Sequence, residues 1–286
     1  LQGRQAGKRV FLVTSLDNLN SSLLLFAAEL GGIFLLAGLL VFGLSFFLAR
    51  MSLCPVEHAF SEQQRFVQDA SHELKTPLTV ILANLSILKS HPTATIHEEV
   101  LWIQNTETEA KRMQELTERL LFLAKADAKN LPSRSEVLSL STLVESTALP
   151  FTALAFERKL SLALDIAPAL SVSGDAQTLA QLLAILLDNA LKYAAPGTEV
   201  TVRLCRQKKH ALLSVHNNGE LIPADALPRL FDRFFRVDKS RARAAGGYGL
   251  GLSIAKTIAN AHGGDIRAES TAEHGTVFTV TLPLSE

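Results

Sequence analysis

The chain has 286 residues with 28 basic and 28 acidic side chains, so its formal net charge is zero, and its mean hydropathy is +0.21. Balanced charge with no basic stripe interleaved with aromatics gives no argument for nucleic-acid binding, and none is expected. The two cysteines, Cys54 and Cys205, lie too far apart for a metal-ligand spacing or a disulfide framework, so both read as packing residues in a reducing compartment.

Residues 10–18, VFLVTSLDN, read as a strand followed by a helix. Residues 30–48 then run uncharged for 19 positions between Glu29 and Arg50, enough for a helix to cross a hydrocarbon core of roughly 30 Å. An apolar surface all round over that length favours a spanning helix over a buried core helix. A signal peptide fits less well, because the run is too long and too far into the chain. Arg4, Lys8 and Arg9 before the span balance Arg50 and Arg65 after it, so the positive-inside count does not choose a side. Residues 50–64 are expected to continue as a helix, with Pro55 breaking or kinking it near the membrane surface.

The next helix carries a seam at alternating spacings of four and three, Val67, Ser71, Leu74, Leu78, Ile81, Leu85 and Leu88, the pattern of helices packed in a bundle. His72 falls one position off that stripe and is predicted to face solvent. A carboxylate beside it, Glu73, can orient an imidazole or accept its proton while the other ring nitrogen attacks an electrophile. Pro77 has no N–H to give to the carbonyl of Glu73, which predicts a local kink. His91-Pro92-Thr93 is a turn signal, and Thr95 can cap a second helix. There Val100, Ile103, Glu107, Ala110, Met113, Thr117, Leu120 and Ala124 continue the seam. Two such helices form an antiparallel hairpin with one open apolar face, which predicts a homodimeric four-helix bundle. His97, His210 and His262 read as ordinary solvated residues.

After Asn130-Leu131-Pro132 the pattern becomes that of an α/β sandwich, with apolar runs alternating with helices. A helix over residues 177–193 ends in LLDNALKYA. It is followed by SVHNNGELIP, then by RLFDRFFRVDKSRARAAGGYGLGLSIAK, with an aromatic cluster at Phe231, Phe234 and Phe235 and with Gly247, Gly249 and Gly251 leading into a helix. Glycines before a helix N-terminus let backbone N–H groups approach a phosphate, and the helix dipole adds to the attraction.

The string SHELKTPLT, Ser71 to Thr79, with EQQRFVQDA upstream of it, resembles the phosphoacceptor box of the sensor histidine kinases of bacterial two-component systems. The later boxes resemble that family's ATP site, so the likeness covers residues 51–286. It implies four regions: the end of an extracytoplasmic sensor over 1–22, a transmembrane helix over 23–49, a helical linker and dimerisation and phosphotransfer hairpin over 50–130 without the two-helix relay module, and a catalytic ATP-binding domain over 131–286 of the type shared with gyrases and chaperone ATPases. The chain resembles a fragment lacking its first span and most of its sensor.

The resemblance implies that Asn189 ligates Mg²⁺ through its side-chain oxygen, a hard donor suited to that ion. It implies that Lys192 and Tyr193 meet phosphate and adenine, that Gly247, Gly249, Leu250 and Gly251 hold the phosphates, and that Arg236 with Lys239, Arg241 and Arg243 forms a lid. The turns at Gly263, Gly264 and Gly275, and Thr276, match the end of the domain. The family's D-x-G-x-G box is altered here: Asn217 stands where the acid accepts the adenine amine, Gly219 is kept, and Leu221 replaces the second glycine. An amide oxygen still accepts that bond, more weakly than a carboxylate, and Leu221 removes backbone freedom.

The implied activity is that of an ATP:protein-histidine phosphotransferase in the bacterial inner membrane, with its kinase domains in the cytoplasm. His72 would receive the γ-phosphoryl group from ATP and pass it to an aspartate of a response regulator. Glu73 would handle the proton, and Thr76, in an E-x-x-T signature, would orient water for dephosphorylation of that regulator. The handedness of the turn at Pro92 decides between transfer within a chain and transfer to the dimer mate. Two other readings stay open at this point: an ATPase of the gyrase and chaperone clan, and a degenerate kinase acting as a nucleotide-binding scaffold or phosphatase.

Overall fold

A computed structural model describes residues 4–5, 8–9, 16–128, 136–237 and 247–285. It divides into two compact units, Leu1–Arg65 and Phe66–Glu286. The first holds a small antiparallel pair, β1 (Arg4–Gln5) and β2 (Lys8–Arg9), and the start of helix α1 (Leu16–Ser90). The strand expected over residues 10–18 falls largely outside the described residues, as does the segment around Asn130-Leu131-Pro132; the helix expected after that strand starts at Leu16. The apolar stretch of α1, Asn20–Met51, is long and apolar enough to cross a membrane, and its side chains lie exposed, Phe34 by 74% and Phe42 by 71%. Of the break or kink expected at Pro55 the break does not occur, and the helix runs on unbroken through both Pro55 and Pro77. One proline removes one helical hydrogen bond, and the intact bonds on either side carry the helix past it.

In the second unit α1 turns at His91 into α2 (Val100–Asp127). Thr95 does build a capping box: its Oγ1 accepts from the N–H of Glu98 at 3.4 Å, and its own N–H donates to Glu98 Oε2 at 2.7 Å. This box sits on a turn, and α2 itself starts one turn later. His91 Nδ1 meets Glu99 Oε1 at 2.8 Å and closes the loop. The side of α2 that this chain buries shares Met113 and Leu120 with the expected seam and otherwise lies beside it. Trp102, Thr106, Glu109, Met113, Leu116, Leu120 and Leu123 face inward, with Leu116 and Leu123 at 0% exposure in one core with the α/β region, while Val100, Ile103, Ala110, Thr117 and Ala124 stay exposed. The rest of the expected stripe is left open, as a hairpin with one open apolar face requires. On α1, Val67, Leu78 and Leu85 of the expected seam are likewise exposed, by 58, 45 and 41%.

The region from residue 136 onward is an α/β sandwich. Strand β3 (Glu136–Ser139) leads into α3 (Leu140–Glu157), capped by Ser139. Then come β4 (Ser161–Ile166), β5 (Ser171–Gly174), α4 (Ala176–Tyr193), β6 (Glu199–Gln207), β7 (His210–Asn217), α5 (Gly251–Ala261), β8 (Asp265–Thr271) and β9 (Gly275–Pro283). The main sheet has the order β4-β6-β7-β9-β8, parallel only between β4 and β6, and β3 pairs with β5 apart from it. Burial alternates along β7 and β9, so one face of the sheet lies on the helices. Helix α4 meets that face with Leu179, Leu182, Leu183, Leu186, Leu187, Ala190 and Leu191, all at 3% exposure or less. Each fully buried leucine contributes about 1.5–3 kcal/mol. Cys205, expected to pack, is exposed, because it lies on the outward register of β6.

His262 is not a solvated residue. Its Nδ1 donates to the carbonyl of Ile258 at 2.8 Å and its Nε2 accepts from the N–H of Asp175 at 3.1 Å, joining the end of α5 to the start of α4. Gly174 makes room for the ring; a Cβ there would come within 2.7 Å of His262 Nε2.

Candidate functional site

His72 is exposed on α1, as its offset from the seam predicts. One turn on, Thr76 donates its hydroxyl to the His72 carbonyl at 3.3 Å, so the two side chains share a face of the helix. Glu73 is one of the residues that tie this helix to the α/β region: its Oε2 lies 3.7 Å from Nη2 of Arg236, whose side chain is only 10% exposed. The loop carrying Arg236 makes further contacts with the hairpin. Phe234 packs on Phe66 with ring centroids 5.9 Å apart. Arg233 binds both carboxylate oxygens of Asp127, at 2.9 and 2.6 Å, and sets its guanidinium 4.9 Å from the Phe66 ring centre. Tyr248, 9% exposed, donates its hydroxyl to the carbonyl of Arg112 on α2 at 3.1 Å. Burial pushes the Tyr248 phenol upward from its ordinary pKa.

Asn189, Lys192 and Tyr193 occupy the last turns of α4. That helix end is tied to the end of β7: Ala194 bridges to Gly219, and the N–H of Ala195 donates to the carbonyl of Asn218 at 2.7 Å. Gly219 is required at this approach, because any side chain there would overlap the carbonyl of Tyr193. Asn217 ends β7 opposite Thr276 on β9, and both are buried, at 3 and 4% exposure. Thr276 Oγ1 shares a hydrogen bond with Ser270 Oγ at 2.9 Å, and Ser270 Oγ accepts from the N–H of Ile222 at 3.0 Å. Leu221 is exposed by 46% and does not take a positive φ, so the lost glycine creates no backbone strain.

The glycine loop closes the site on its third side. Gly249 has φ +72°, and a Cβ there would lie 2.8 Å from the Phe234 carbonyl carbon and from the Phe235 oxygen. Its carbonyl accepts from the N–H of Phe234 at 3.0 Å, so this loop and the phenylalanine loop form one unit. A Cβ on Gly247 would come within 2.9 Å of Lys192 Nζ, so the ammonium sits against the loop. Leu250 differs from expectation: its side chain is 0% exposed in the core, leaving only its backbone for a ligand. Lys239, Arg241 and Arg243 lie outside the described residues.

Several features fit an anionic nucleotide. The Lys192 ammonium is held below its ordinary pKa first by desolvation, opposed by Asp188 and reinforced by Arg236, and an incoming anion would reverse that penalty. Among the described residues, the side chains of Asn189 and Asn217 have no hydrogen-bond partner, so both amides are available to a ligand. The side-chain oxygen of Asn189 is a hard donor, the kind of ligand suited to a magnesium ion. The contacts of Arg233, Arg236 and Tyr248 with the hairpin carry no local sequence signal; Arg233 and Asp127 are 106 positions apart.

Comparisons with known proteins agree with this arrangement. The family described as "His Kinase A (phospho-acceptor) domain" matches residues 62–129, and that described as "Histidine kinase-, DNA gyrase B-, and HSP90-like ATPase" matches 174–286. The sensor protein CiaH of Streptococcus pneumoniae is 35% identical over 240 residues, 84% of this chain and 54% of that protein. The sensor histidine kinase CusS of Escherichia coli is 38% identical over 229 residues, 80% of this chain and 47% of that protein. The chain thus spans about half the length of the curated relatives it matches. The histidine kinase AdeS of Acinetobacter baumannii shares the fold at 22% identity and a TM-score of 0.62, over 75% of this chain and 98% of that structure.

Proposed function

Since the chain belongs to the sensor histidine kinases of bacterial two-component systems, we propose that it phosphorylates itself on His72 from ATP and passes the phosphoryl group to an aspartate of a response regulator. The Arg236–Glu73 pair carries this reading, since it joins the residue beside the acceptor histidine to the loop that backs the glycine cradle. In the proposed step an imidazole nitrogen of His72 attacks the γ-phosphorus, the bond to the β-phosphate oxygen breaks, and ADP leaves. Glu73 accepts or orients the proton on the other ring nitrogen. Lys192 and Arg236 compensate phosphate charge, while backbone N–H groups from Gly247 to Gly251 fix the phosphates at the start of α5. Tyr193, Asn217, Gly219 and Thr276 line the base side. A magnesium ion, when bound, neutralises phosphate oxygens, and Asn189 is the residue that would hold it.

Incubating the full chain with γ-labelled ATP tests the reading. The expected product is an acid-labile, alkali-stable label that is lost in His72→Gln while nucleotide binding survives. Nucleotide binding without any label would instead identify a degenerate scaffold. Nucleotide hydrolysis without a phosphohistidine would identify an ATPase of the gyrase and chaperone type.

Three further parts belong to the same proposal. A second copy covers the exposed stripe of Val67, Leu78, Leu85, Val100 and Ile103, giving a homodimeric four-helix bundle. Segment 20–51 spans the inner membrane, with the kinase domains on the ATP-containing cytoplasmic side. Thr76 orients water for dephosphorylation of the regulator, so Thr76→Ala should abolish that activity and spare autophosphorylation; equal loss of both would remove the assignment.

A further inference from the structure

We propose that Asn217 makes the base subsite read either purine, so that the phosphoryl donors of this kinase are both ATP and GTP. The inference rests on the nucleotide-site reading above and concerns which base that site selects.

The amide of Asn217, a residue only 3% exposed, makes no hydrogen bond among the described residues, so its donor and its acceptor are both open to a ligand. The surroundings do not engage the amide. The Thr276 hydroxyl across the β7–β9 ladder is engaged with Ser270, which also receives the N–H of Ile222. The position of Gly219 leaves the amide nitrogen room, since a Cβ there would come within 3.2 Å of Asn217 Nδ2. A ligand edge offering a donor beside an acceptor would satisfy both halves of the amide at once.

Both purines offer such an edge, in opposite order. Adenine presents its 6-amino donor beside the N1 acceptor, and guanine presents its O6 acceptor beside the N1–H donor. A carboxylate held against the 6-position can only accept, so it would pair with the adenine amine and stand oxygen against oxygen with guanine O6. The amide of Asn217 can turn by half a rotation about its terminal bond, exchanging Oδ1 and Nδ2, and thereby match either edge. The reaction with GTP balances as it does with ATP: a nitrogen–phosphorus bond forms at His72, the γ-phosphorus bond to the β-phosphate oxygen breaks, and GDP leaves with the electron pair.

The test compares γ-labelled ATP and GTP on the full chain in detergent, alongside displacement of a fluorescent ATP analogue by each unlabelled nucleotide. Both donors should label His72 at rates within about tenfold of each other, and Asn217→Asp should widen the preference for ATP by roughly tenfold or more. Labelling by ATP, with GTP neither labelling nor displacing the analogue, would overturn the inference and leave the kinase reading standing. Labelling by both donors, with a ratio unchanged in Asn217→Asp, would also overturn it, since another group would then be reading the base. If neither donor labels, the kinase reading fails, and displacement by both nucleotides within tenfold, narrowed to ATP in Asn217→Asp, still supports the inference; displacement by ATP alone overturns it. The wild-type comparison needs no variant, so a misfolded Asn217→Asp does not remove the test.

Discussion

Replacing Arg233 by alanine removes two contacts that hold the phenylalanine loop to the hairpin: the bidentate pair with Asp127 and the stacking over Phe66. The side chains are partly solvated, 31% exposed for Arg233 and 54% for Asp127, so the pair takes the value of a well-aligned surface ion pair and not of a buried one. Together with the cation–π contact it should contribute about 0.5–1.5 kcal/mol, roughly a two- to twelvefold factor in the population of the docked loop. Because Arg236 rides on the same loop and meets Glu73, Arg233→Ala should slow autophosphorylation by that factor. The informative measurement is a double-mutant cycle on the autophosphorylation rate. Asp127→Ala should reproduce most of the loss, and the double variant should be little worse than Arg233→Ala alone. Raising the salt concentration should shrink the difference between wild type and variants. Additive effects of the two substitutions would refute the reasoning, because they would mean that Arg233 and Asp127 act separately.

Gly249→Ala should lower nucleotide affinity by tenfold or more, since the φ of +72° costs an L-residue about 1–2 kcal/mol and the new Cβ would push on Phe234 and Phe235; titration with a fluorescent nucleotide reads it. Asp175→Ala removes the cap of α4, whose carboxylate accepts from the Thr178 N–H at 2.8 Å, and should cost about 1 kcal/mol, roughly 2–4 °C in thermal midpoint. The Asp175 carboxyl is held below 3.8, mainly by the Thr178 backbone N–H, so its contribution is complete above pH 3.8 and lost as pH falls through the lower folded value; wild type and variant should converge there in acid melts. Lys192 is pushed the other way from a carboxylate's advantage: desolvation lowers its pKa below 10.5, so it discharges earlier than a free lysine on going alkaline. Nucleotide affinity should therefore fall as pH rises from neutrality towards 10.5, and Lys192→Arg should flatten that limb in calorimetric titrations.

Local chemistry made much of this molecule legible in the sequence. The offset of His72 from its seam predicted its exposure, and the apolar spacing of residues 177–193 gave a helix found at Ala176–Tyr193. The glycine run predicted a turn into a helix, and Gly249 indeed needs its positive φ. What could not be read was set by partners far off in the chain. The periodicity of α2 fits two adjacent stripes, and only the packing of Leu116 and Leu123 into the catalytic core selects the one that is buried. Prolines predict a break from sterics, yet α1 passes Pro55 because the neighbouring helical turns remain bonded. His262 carried no motif for its bridge from Ile258 to Asp175, since those partners meet only once α5 returns beside α4.

The pairing of Arg236 with Glu73 leads to a thermodynamic reciprocity. A guanidinium engaged with the carboxylate beside the acceptor histidine is less free for a triphosphate, and one drawn to a triphosphate releases that carboxylate. Whatever factor separates nucleotide affinity between these two arrangements must equally separate the preference of the hairpin for them. Under the proposed roles of Arg236 and Glu73, a hairpin movement that withdraws Glu73 would tighten the grip on nucleotide, and nucleotide binding would free Glu73 for its proton. A single shared charge thus suffices to make the hairpin and the catalytic region each report the state of the other.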